Sequence, residues 1–95
     1  MIGTVKDEGG SIRIYDENGN YKANCSGSGR LAGFSSSIVV RQDGSNVAIY
    51  DENGNYIANC SGSGDVIAVA GNTITRRDGS NTALYDERGN YKSNV

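Results

Sequence analysis

The stretch VAIYDENGNYIANC, residues 47–60, decides the reading of this chain, because the chain holds it three times. It recurs as IRIYDENGNYKANC over residues 12–25 and as TALYDERGNYKSNV over residues 82–95. Both offsets are 35 residues, and the match extends without a gap. Val47 and Ile49 alternate with Ala48 and Tyr50, the period of two that marks a strand with two unlike faces. Glu52-Asn53-Gly54-Asn55 supplies turn chemistry, since Asn-Gly accepts the positive φ of a tight hairpin. A further strand over residues 56–60 follows, and strict alternation places Tyr56, Ala58 and Cys60 on one face.

Working outward, the chain falls into rows of 1–25, 26–60 and 61–95 within one domain, 1–95. Each full row opens on SGSG, a composition typical of flexible connectors. A small apolar strand comes next, 31–34 or 66–70, and then a β-branched one, 38–41 or 73–76. Asp43-Gly44 and Asp78-Gly79 turn the chain into a third strand, 46–50 or 81–85. No segment carries the 3.6-residue spacing of an amphipathic helix. The class is therefore all-β: three 35-residue repeats of four short antiparallel strands, the first repeat lacking its first strand. An edge left short of a strand invites pairing with another chain, so self-association is expected.

Composition narrows the function. The 95 residues carry 14 Gly, 2 Cys and no Pro, Trp or His, with a net charge of −2. Positive charges are scattered, Arg76-Arg77 being the densest cluster, so no basic face exists for nucleic acid or an anionic membrane surface. No run is apolar for the length a bilayer demands. MIGTVKDEGG does not read as a signal peptide, and the cytoplasm is the default expectation. Without His, acid–base chemistry falls to carboxylates, and these recur at turns rather than gathering, so no enzyme is expected.

Other chemistry is weighed position by position. DENGN at 16–20 and 51–55 begins like a calcium loop, but Tyr21 and Tyr56 stand where such loops need Gly. An Asn-Gly turn accounts for the same residues, and no metal or cofactor is expected. SGSG lacks the following helix that a phosphate cradle needs. Cys25 and Cys60 align with Val95, which marks a small apolar site and favours packed thiols, with a disulfide between them as the alternative if the two positions approach within about 7 Å.

The row resembles a β-propeller blade, with four antiparallel strands, a DG turn between strands two and three, and a YD-x-x-G turn before strand four. The resemblance implies sheets set around an axis, with Ala32, Gly33, Ala68 and Ala70 suiting a crowded inner strand. A propeller needs about four blades to close, so this chain would complete one with further copies. A β-prism and a β-solenoid are the alternatives. The prism alternative comes from the monocot mannose-binding lectins: Gln42, Asn46 and Tyr50 match the spacing of their sugar motif, with Gly44 and Ala48 at its other two positions. Row three keeps Asn81 and Tyr85.

Six equivalent tyrosines, each beside Asp or Asn, suit sugar stacking as well as cross-strand packing. The expectation is a non-enzymatic binding module with one shallow site per repeat and carbohydrate as ligand. Its candidate residues are Gln42, Asn46, Tyr50, Asp51, Asn81, Tyr85 and Asp86. The alternative is a structural protein that self-assembles through its open edge into a ring or filament.

Overall fold

The computed structural model describes residues 1–8, 11–25, 29–44, 46–60 and 64–95. The connectors read at residues 26–28 and 61–63 lie outside the described residues. The described chain contains eleven strands and no helix. Strands β1 (Ile2–Glu8), β2 (Ser11–Asp16) and β3 (Tyr21–Cys25) form the first sheet. Strands β4 (Arg30–Phe34), β5 (Ile38–Asp43), β6 (Asn46–Asp51) and β7 (Tyr56–Cys60) form the second. Strands β8 (Asp65–Ala70), β9 (Thr73–Asp78), β10 (Asn81–Tyr85) and β11 (Tyr91–Asn94) form the third. Every sheet is an antiparallel meander drawn from one repeat, and no ladder joins strands of different repeats among the described residues.

The sheets pack face to face, and the middle one is buried on both sides. Its Val39 and Tyr50 join Ile2, Val5, Ile12, Ile14 and Cys25 of the first sheet in one core. Its Ile38, Val40, Val47, Ile49 and Cys60 join Val66, Ile74 and Tyr85 of the third sheet in another. We call the face of each sheet that looks back along the chain its front and the other its rear. Val47 and Ile49 thus lie to the rear and Ala48 and Tyr50 to the front, following the alternation. Truncating Ile49, which is wholly buried, would cost about 2–5 kcal/mol through lost contact and a cavity.

One expectation from alternation is corrected. Tyr50 pairs with Tyr56 and Ile49 with Ala58, so β7 spends an extra residue, Ile57, against β6. That bulge turns Tyr56 to the front beside Tyr50 while Ala58 and Cys60 stay behind. Matching register shifts occur between β2 and β3 and between β10 and β11.

The small first strands meet each other. A Cβ at Gly33 of β4 would stand 2.7 Å from Cγ2 of Val69 of β8, so only glycine lets these strands approach. The first sheet has no such strand, and the outer edge of β1 is without a strand partner among the described residues.

Candidate functional site

Residues facing solvent in every repeat, and residues joining one sheet to the next, are the two places where function can reside. The YD-x-x-G turns come first. Asp51 Oδ1 accepts from the main-chain N–H of Asn53 at 2.8 Å and of Asn55 at 2.9 Å. Asp86 Oδ1 does the same for Arg88 and Asn90 at 2.8 and 2.9 Å, and Asp16 for Asn18 and Asn20 at 2.9 Å each. The N–H of Asn90 holds the Asp86 carboxyl below its ordinary range, and that of Asn20 holds Asp16 likewise. Gly54 takes a φ of 83°, closing the turn. The carboxylates are thus spent on backbone, as an aspartate-capped turn requires.

Each turn orients a tyrosine pair. Tyr50 and Tyr56 meet edge to face at 5.9 Å, and so do Tyr85 and Tyr91. Tyr15 and Tyr21 meet at 6.1 Å. The inner members Tyr50 and Tyr85 are buried, at 8% and 7% exposure. The outer members Tyr21, Tyr56 and Tyr91 stand 58–59% exposed on the last strand of each sheet. The Tyr56 hydroxyl donates to Asn59 Oδ1 at 2.7 Å, and Tyr91 to Asn94 at 2.7 Å. Each sheet therefore presents one aromatic ring to solvent, and those of the second and third sheets are held by a hydrogen bond.

Of the sequence candidates, Gln42 is buried between the second and third sheets. Its Nε2 donates to Asp65 Oδ1 at 3.0 Å and to the Gly44 oxygen at 3.1 Å. Its Oε1 accepts from Arg30 Nη2 at 3.0 Å and from the N–H of Val66 at 3.2 Å. Asn46 and Asn81 are exposed where β6 and β10 begin. Gln42, Tyr50 and Tyr85 serve the inside of the molecule, Asp51 and Asp86 its turns, and the seven do not form one cluster. The described residues enclose no pocket. Among them no three of His, Cys, Asp and Glu gather as metal ligands would.

The sheet junctions hold the features the sequence did not disclose. Arg41 and Arg76 are each only 1% exposed. Nη1 of Arg41 donates to the Cys25 oxygen at 2.8 Å and its Nη2 to the Gly29 oxygen at 2.8 Å. One repeat on, Arg76 Nη1 reaches the Cys60 oxygen at 2.9 Å, while Nε and Nη2 reach the Gly64 oxygen at 3.0 and 2.7 Å. The Arg76 guanidinium also lies 5.8 Å from the Tyr85 ring centre. Each arginine thus fastens its sheet to the end of the preceding one and to the connector between them. The turn glycines seat the same junctions: a Cβ at Gly54 would collide with the main chain of Asn24, and one at Gly89 with that of Asn59. Lys22 of the first sheet faces Glu52 of the second, 3.9 Å apart.

Cys25 and Cys60 are free and buried, each in its own sheet. Burial pushes both thiols above their ordinary pKa.

The chain matches no protein-family model and no curated protein.

Proposed function

We propose that this protein is a non-enzymatic assembly module whose propeller-like sheets are completed by copies of itself. One observation carries the reading: the same sheet-to-sheet junction is built twice within the chain and leaves one matching face open at each end. Among the described residues no sheet covers the front of the first sheet or the rear of the third. β1 adds an edge without a strand partner, the kind of feature that pairs with another chain. The test is sedimentation velocity across a dilution series. Assembly requires a discrete larger species that grows with concentration; a single species at the monomer position throughout would end this reading.

A second reading, multivalent carbohydrate binding, is favoured by the three exposed tyrosines. Tyr21, Tyr56 and Tyr91 repeat one geometry on three sheets, and a ring fixed by a hydrogen bond suits stacking on a sugar. Asn46 and Asn81 remain accessible for hydroxyl contacts. Three weak sites on one rigid body would gain by avidity. A glycan array probed with the wild-type chain and with Tyr56→Ala tests it: loss of signal from a folded variant supports the reading, and an empty wild-type array ends it.

A further inference from the structure

We propose that two copies of this chain dock head to tail, the rear of each third sheet on the front of the other copy's first sheet, closing a ring of six sheets. The inference rests on the assembly reading and names its surface and partner.

The internal junctions define what the outer one would be. At the first, Lys22 faces Glu52, Gly54 seats against Asn24, and Arg41 caps Cys25. At the second, Gly89 seats against Asn59 and Arg76 caps Cys60. Advancing each position by one more repeat sets Lys92 against Glu17 of a second copy. It also sets Gly19 of that copy against Asn94, and Lys6 against the main-chain oxygen of Val95. The charges at this outer junction are opposite, as at the first one, and Lys6 keeps a cationic donor where Arg41 and Arg76 act. Gly19 has open space around it, whereas Gly54 and Gly89 touch the sheet before them. Lys6, Glu17 and Lys92 are all exposed, and Lys92 donates to the exposed edge of the same face at Thr73 Oγ1, 3.0 Å away.

The end faces are built to be parted as well as joined. Thr73, Thr75 and Thr82 stand on the rear of the third sheet where the second has Ile38, Val40 and Val47. Threonine keeps the branched shape of valine but replaces a methyl by a hydroxyl, so the face tolerates water. Ile67, 55% exposed, and the half-buried Leu84 keep apolar area on it. Such a face suits a dissociable contact rather than a permanent one. Radial sheet assemblies typically hold about four to eight sheets, and two copies of the three sheets described fall within that range.

The experiment is sedimentation equilibrium on the full chain, wild type against Glu17→Lys, Lys92→Glu and the double variant. Both positions are exposed in the single chain, so folding is preserved, and circular dichroism checks it. The wild type should show a monomer–dimer equilibrium. Each single reversal should raise the dissociation constant on the order of tenfold, because two junctions per ring lose an attraction and gain a repulsion. The double variant should return close to wild type. Thr82→Arg, which places bulk in the middle of the docking face, should leave a folded monomer. A dimer indifferent to all these changes, or an open-ended series of masses, overturns the head-to-tail ring while assembly itself stands. A wild-type monomer at every concentration overturns both.

Discussion

The guanidinium of Arg76 donates to the main-chain oxygen of Cys60, 2.9 Å away, and so ties the third sheet to the last residue of the second. Arg41 repeats the relationship with Cys25 at 2.8 Å. A buried arginine that donates to main-chain carbonyls is costly to interrupt, because the carbonyls left behind are out of reach of water. Arg76→Met should therefore destabilise the chain by about 2–4 kcal/mol. Lys6→Met, at the equivalent exposed position, should change the dilute chain by less than about 0.5 kcal/mol. Urea unfolding of the two variants side by side checks this. Equal losses would show that the arginine does not act through the junction.

The cysteines test the packing at the ends of the last strands. Since Val95 occupies the same position in the repeat, Cys25→Val and Cys60→Val should each alter stability by less than about 1.5 kcal/mol. Burial raises both thiol pKa values and hides the sulfur, so a thiol reagent at neutral pH should label neither in the native chain and both in denaturant. Fast native labelling would mean that the faces between sheets are open.

The capped turns give the fold an acid dependence. Asp16 and Asp86 have folded pKa values lowered by the N–H groups they accept from, so folding favours their ionised forms. Their contribution is complete above the ordinary aspartate pKa and is lost as pH falls through the lowered folded value. Thermal midpoints should hold from neutrality to about pH 5 and decline below it. The decline should be shallower in a chain carrying Asp16→Ala and Asp86→Ala, whose midpoints are lower at neutral pH. A parallel decline would assign the acid limb to other carboxylates.

Tyr50 and Tyr56 are six residues apart and alike in the sequence, yet the first is buried and the second exposed. Tyr50→Ala should cost about 3–5 kcal/mol by opening a cavity between sheets, whereas Tyr56→Ala should cost about 1 kcal/mol or less. Chemical unfolding measures both. Similar losses would contradict the exposure of the outer ring.

Strand positions, both turn types and the missing first strand follow from alternation and from Asp-Gly and Asn-Gly, because these are local effects. Ile57 escapes that reasoning: a bulge inserts a residue without any sequence mark, and it sends Tyr56 to the face opposite Ala58. Arg41 and Gln42 escape it too. Residues 38–42 are buried without a break because the middle sheet has a neighbour on each side, and no periodicity within one strand announces a second neighbour. The candidate site was legible as a repeated tyrosine pair; which member faces solvent was not, since that depends on the bulge.

If the junction built at Arg41 and Arg76 continues between copies, as proposed, small-angle X-ray scattering will register it. The single chain has a Cα radius of gyration of 12.5 Å and a mass of 10.0 kDa. With rising concentration we expect twice that mass, a radius well above the single-chain value, and a distance distribution fitted by a closed ring of six sheets. A mass of 10.0 kDa and an unchanged radius at every concentration would contradict it.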